Sequence, residues 1–201
     1  MNKALCIFVL SQDFKNELIR RGIKSDIHLT STKVPDYFIS GFDLSMRQGK
    51  AENIMYSGRI EKAKGVYETV DTFSILKSQY KDLTLTFVGD GSELPMLKQY
   101  VENKKIKDVR FTGELRGEDF KKEYINADMY LFLSYTEGMP TVVLEAMIFG
   151  LPIFTRKVGG LIDFFENGKM GYISSSLDPA VFAEAMKPYI ENPAKMRSVS
   201  I

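Results

Sequence analysis

Apolar, β-branched runs alternate with amphipathic segments through most of this chain. From residue 53 the runs NIMYSG, LTLTFVG (from 83), VRFTG (from 109), MYLFLS (from 129), PIFT (from 152) and GYIS (from 171) predict strands. Between and after them, helices are predicted at about 64–79, 91–103, 117–125, 140–149, 160–166 and 178–190. Near-continuous apolar strands alternating with helices are the signature of a parallel sheet covered on both faces. With right-handed crossovers this predicts an α/β fold, a doubly wound parallel Rossmann-like sheet of about six strands, with its ligand at the carboxyl ends of the strands.

Residues 1–32 differ in kind, with a strand expected at 4–10, a helix at about 12–21 and a strand at 27–31. Pro35, Gly41 and the polar stretch SMRQGKAEN (45–53) then predict a linker, so residues 1–45 are separated from a main domain over 46–201. The βαβ unit is too small to be a domain alone. It is expected either to pack as an edge of the main domain or to be the tail of a larger N-terminal domain.

Composition narrows the partners. A net charge of +1 over 201 residues leaves no basic footprint for nucleic acid and no acidic tail. The single cysteine, Cys6, lies in the run ALCIFVL and is expected to be a buried thiol in a reducing cytoplasm. That run has the flavour of a signal peptide, but SQDFKNEL after it offers no small-residue cleavage site. No segment approaches the roughly 20 apolar residues needed to span a bilayer. The protein is therefore expected to be cytoplasmic and at most peripheral to a membrane.

The most informative stretch is 131–160, FLSYTEGMPTVVLEAMIFGLPIFTRKVGG. Glu137 precedes a Gly138-Met139-Pro140 turn, Pro140 is expected to open a helix, and Glu145 lies one turn beyond Thr141. The free N–H groups of such a helix start, those of Thr141 and Val142 included, suit an anion. Two carboxylates repel a phosphate, so each is expected to accept hydrogen bonds from hydroxyls while cations and the helix end hold the anion. Arg59 and Lys64, after the first strand of the main sheet, supply cations of the required kind. In FVGDGSELP, Leu94 stands where a dinucleotide fingerprint needs its third glycine, so Gly89 and Gly91 are read as a tight turn, with Ser92 or Asp90 capping the next helix. Backbone groups near Leu115 and Arg116, after the strand VRFTG, are candidates to meet a base, although an ordinary βα loop reads the same in sequence. No Asp-x-Asp triplet, cysteine/histidine cluster, P-loop or serine nucleophile elbow occurs, and no metal or resident cofactor is expected.

Together these blocks resemble the C-terminal donor-binding domain of glycosyltransferase family 4, retaining enzymes of the GT-B fold. The resemblance rests on SGRIEKAKG, FVGDGSEL, FTGEL, INADMYLFLSYTEG, the glutamate pair in EGMPTVVLEAMIFGLPIF, VGG and NGKMGYI, in that order over residues 53–175. It implies a nucleotide diphosphate sugar as donor substrate, with Arg59 and Lys64 binding the diphosphate and neutralising the leaving nucleotide. It further implies that Glu137 contacts the transferred hexose, that Glu145 binds ribose hydroxyls, and that the backbone from Gly138 through Val142 meets sugar or phosphate. Residues 1–45 would then be the remnant of an acceptor-side domain whose glycine-rich loop is missing. His28, the single histidine, lies near the linker and takes no family role. The implied activity is hexosyl transfer to a glycan or lipid-linked acceptor, weak in this chain alone. A non-catalytic nucleotide-sugar-binding or interaction module and a sugar-nucleotide epimerase of the same fold are the alternatives.

Overall fold

The computed structural model describes residues 4–46 and 51–199, so residues 47–50 of the expected linker lie outside the described residues. Two parallel sheets are present. The first pairs β1 (Cys6–Val9) with β2 (Asp26–Leu29) across helix α1 (Gln12–Arg20). The second has six strands, β3 (Asn53–Ser57), β4 (Thr84–Val88), β5 (Val109–Phe111), β6 (Met129–Phe132), β7 (Ile153–Arg156) and β8 (Gly171–Ser174). Their order across the sheet is β5-β4-β3-β6-β7-β8, all parallel.

This order follows from the connections. The chain moves outward from β3 to β5 on one side, then returns to lay β6 against the other side of β3. The order reverses between β3 and β6, and the carboxyl ends of the strands at such a switch point are where an open α/β sheet places its ligand. The helices are α2 (Val66–Gln79), α3 (Leu94–Asn103), α4 (Gly117–Asn126), α5 (Thr141–Ile148), α6 (Pro179–Glu191) and α7 (Pro193–Arg197). The segment expected as a helix at 160–166 is a short 3-10 turn, Gly159–Asp163, because it opens on two glycines with little intrinsic helix preference.

The central strands are buried along their length, and Ile54, Phe87, Leu131 and Phe154 lose all contact with solvent. Phe73 and Leu76 of α2 are likewise fully buried, and burying such side chains contributes roughly 1.5–3 kcal/mol each. The expected linker does more than connect. Phe38 packs edge-on against Tyr124 and Phe149, with ring centroids 5.6 and 5.4 Å away, which ties that segment to α4 and to the end of α5.

The small sheet is different. Leu5 is 93% exposed, Phe8 is exposed and Cys6 is an exposed free thiol, so the expectation of a buried cysteine is corrected. An apolar strand is buried only where both faces are covered, and Cys6 and Phe8 share the open face of β1 while Val9 on the other face is buried. Among the described residues, no helix is long and apolar enough to cross a membrane.

Candidate functional site

The loops after β3 and β6 are stitched together before any side chain chemistry is considered. Gly65 adopts φ +67°, and a Cβ there would fall 1.9 Å from the carbonyl oxygen of Leu133, so only glycine lets the β3–α2 loop rest on the end of β6. The Ala63 carbonyl accepts from the Tyr135 amide (2.9 Å) and from Ser134 Oγ (3.2 Å). Lys64 Nζ then donates to Glu137 Oε1 at 2.7 Å, with the two side chains 16% and 13% exposed. The cation expected after the first main strand and the carboxylate expected in the later loop are thus one ion pair spanning the switch point.

Arg59 sits earlier in the same loop. The Tyr56 hydroxyl donates to its carbonyl at 2.8 Å, while its 69% exposed side chain pairs with Glu61 at 3.0 Å. Arg59 lines a cavity of about 360 Å³ together with Gly58, Val88–Asp90, Glu114–Leu115, Phe120 and Val142. Gly89 belongs there for a steric reason: at φ +136°, a Cβ would meet the Gly58 carbonyl oxygen at 2.0 Å. Neither Asp90 nor Ser92 caps α3. That helix starts at Leu94 with no side-chain cap, and Asp90 Oδ1 instead accepts from the adjacent Gly91 amide at 2.6 Å, closing its own turn.

The turn Gly138-Met139-Pro140 is held from the other side. Gly160 donates its amide to the Gly138 carbonyl at 2.7 Å, and a Cβ on Gly159 would lie 2.1 Å from the same oxygen. Pro140 is not the first helical residue as expected. Its ψ of 100° leaves it extended as the N-cap, with its carbonyl accepting from Val143 at 3.0 Å, so α5 begins at Thr141. The amides of Thr141 and Val142 make no backbone hydrogen bond among the described residues.

Glu145 is positioned by a chain of hydroxyls. Its Oε2 accepts from the Tyr124 hydroxyl at 2.9 Å; Tyr124 meets Ser57 Oγ at 2.8 Å, and Ser57 Oγ meets the Tyr130 hydroxyl at 2.8 Å. These four residues come from α5, α4, β3 and β6, so the chain knits both sides of the switch point beneath the loops. Burial pushes the Glu145 carboxyl above its ordinary value of 4.5, opposed by the Tyr124 hydrogen bond. Burial likewise raises Tyr124 and Tyr130 well above the usual phenol range, so both donate as neutral hydroxyls.

The expected residues therefore fall into three neighbouring groups: Arg59, Leu115 and Val142 at the cavity, Lys64 with Glu137 at the stitched loops, and Glu145 on its hydroxyl chain. Neither Lys64, Glu137 nor Glu145 lines that cavity. Sequence reasoning missed Tyr124, Ser57 and Tyr130. Its one signal was a serine and a tyrosine inside apolar strands, where a polar atom needs a partner. Among the described residues no group of three His, Cys, Asp or Glu side chains is arranged to hold a metal ion.

The family profile "Glycosyl transferases group 1" matches residues 45–200. The chain is 30% identical over 149 residues to glycogen synthase of Mycobacterium tuberculosis, covering 74% of this chain and 36% of that protein. It is also 30% identical over 147 residues to the capsular polysaccharide biosynthesis glycosyltransferase CapM of Staphylococcus aureus, covering 69% and 37%. The chain thus spans a little over a third of the length of these relatives. In three dimensions it matches TarM of S. aureus with a TM-score of 0.87 at 18% identity, over 98% of this chain and 39% of that one. It matches HepE of Anabaena, solved in complex with UDP-glucose, with a TM-score of 0.78 at 20% identity, over 97% and 56%. At these identities the likeness is one of fold, the α/β arrangement of GT-B glycosyltransferases.

Proposed function

The chain belongs to the group 1 glycosyl transferases, and from that premise we propose that it is the donor-binding part of a retaining, family 4 hexosyltransferase. In this reading residues 46–201 bind a nucleotide diphosphate sugar, and residues 1–45 belong to an acceptor-side domain that presents a glycan or lipid-linked acceptor. The enzyme works in the cytoplasm, peripheral to the membrane where its acceptor is lipid-linked. The observation that carries the reading is the Lys64–Glu137 pair joining the two loops of the switch point, with Arg59, earlier in the first of those loops, bordering a cavity.

The chemistry follows from donor and acceptor counts. An ammonium has three N–H donors and Glu137 takes one, so Lys64 keeps donors for diphosphate oxygens. Arg59 adds a planar fork, and the Thr141 and Val142 amides add the positive end of α5. As the glycosidic bond to the diphosphate breaks, negative charge grows on the leaving oxygen, and these groups stabilise it in place. Glu137, with one oxygen on Lys64, has lone pairs left for hexose hydroxyls. Glu145 accepts from the ribose, and backbone groups near Leu115 meet the base.

Because HepE was solved with UDP-glucose and a TarM structure with UDP, uridine compounds are the first probes. Melting of the 201-residue chain is measured with UDP, UDP-glucose, GDP and GDP-mannose. A ligand at 100 times its Kd is expected to stabilise the fold by about 2.7 kcal/mol. The reading is lost if none of the four shifts the melt and Glu145→Ala leaves turnover of the complete enzyme unchanged.

A further inference from the structure

Arg156 ends β7 and is only 3% exposed, so a permanent positive charge lies inside the protein. Among the described residues no carboxylate pairs with it. Its donors go to three backbone carbonyls: Leu133 at 2.8 Å, Ser176 at 3.2 Å and Leu177 at 3.3 Å. Its guanidinium carbon also lies 4.2 Å from the centre of the Tyr135 ring.

Those contacts join two loops. Leu133 and Tyr135 leave β6 toward Glu137, whereas Ser176 and Leu177 connect β8 to α6. The residues held on the β6 side are the same ones that reach the loop of Lys64. Tyr135 donates its amide to Ala63, Ser134 donates its hydroxyl to Ala63, and the Tyr135 hydroxyl donates to Glu68 of α2. An apolar side chain would fill the same space without bridging carbonyls of separate loops, and a lysine lacks the planar fork.

We propose that Arg156 is a positioning residue: by clamping the Leu133 carbonyl and the Tyr135 ring to the β8–α6 loop, it fixes Glu137 in register with Lys64. Arg156 acts through those loops and touches no substrate. Its consequence for the hexose rests on the donor-binding reading above, but its consequence for the loops does not.

The test uses the full protein with Arg156→Lys, which keeps the charge and removes the fork. In amide hydrogen exchange without ligand, peptides covering 62–66 and 133–138 are expected to exchange about tenfold faster, with β3 and β4 unchanged. By calorimetry, UDP-glucose affinity should fall about fivefold and by more than UDP affinity, because UDP-glucose loses the hexose contact as well as part of the Lys64 contact, and Glu137→Gln in the same background should add no further loss. A uniform rise in exchange, no rise at all, an equal loss for UDP and UDP-glucose, or additive losses would each overturn the proposal. If Arg156→Lys does not fold, Tyr135→Leu takes its place. Tyr135 is 45% exposed, so that change removes the ring stack from the solvent side. If the unmodified protein binds neither uridine compound, the donor-binding reading fails, and the ligand-free exchange still decides the positioning role.

Discussion

The surroundings of the two glutamates make opposite use of the same charge. Glu137 stands in the loop after β6, and its charge is met 2.7 Å away by the ammonium of Lys64. Glu145 stands on α5 and is met by a neutral phenol at the end of a buried hydroxyl chain. The first site is electrostatically compensated within the protein. The second is under-compensated, and burial shows in its raised carboxyl. A partly buried carboxylate with spare acceptor capacity gains most when further donors arrive, and that suits Glu145 to accept from further hydroxyls, whereas one oxygen of Glu137 is already matched by Lys64.

The largest effect that could break this contrast lies on the compensated side. Lys64→Ala in the complete enzyme is expected to lower kcat by about 10²–10³, the usual loss on removing one group aimed at developing charge. It also leaves the partly buried Glu137 without its partner, which should cost about 1–3 kcal/mol of stability by calorimetry. A kcat within about twofold of the unmodified enzyme would show that the pair is a structural strut alone.

Tyr124→Phe probes the under-compensated side and should have a smaller effect. It deletes the hydroxyl that Ser57 and Glu145 share, at an expected cost of about 1–3 kcal/mol in the melting transition. UDP affinity should fall, because Glu145 loses the bond that orients it, while kcat at saturating donor stays close to normal. Matching losses of kcat in Lys64→Ala and Tyr124→Phe would erase the difference between the two glutamates.

How much of this was legible in sequence divides along the same line. All six main strands lie within a residue or two of their apolar runs, and for β3, β4, β6 and β7 the reason is that parallel strands buried on both faces leave a near-continuous apolar pattern. Lys64 and Glu137 could be picked out as chemistry, yet their pairing could not, since it depends on Gly65 letting one loop rest on Leu133. The hydroxyl chain was unreadable because Tyr124, Ser57 and Tyr130 lie on three elements whose neighbourhood only the strand order creates. Cys6 was misjudged for a related reason: an apolar strand announces that it can be covered, not what covers it. The sequence places Pro140 one position too far into the helix, because with φ fixed by its ring a proline at the N-cap differs from one at the first helical position only in ψ.

The finest test asks whether the two glutamates respond to neutralisation with opposite sign. Burial raises the Glu145 carboxyl above 4.5 in the folded protein, so as pH rises the unfolded chain gives up this proton first. The stability linked to the neutral form is therefore complete below 4.5 and lost as pH climbs through the raised value. Glu145→Gln stays neutral throughout and still offers an oxygen to Tyr124, so it should melt higher than the unmodified protein at pH 7.5. Near pH 4 the two should agree to within about 0.5 kcal/mol. Glu137→Gln should do the reverse at pH 7.5 and melt lower, because it abandons Lys64 in a site that is mostly shielded from water. Two curves that fall together at pH 7.5 would mean that Glu145 is compensated after all, by groups other than Tyr124, and the division of labour between the two carboxylates would have to be redrawn.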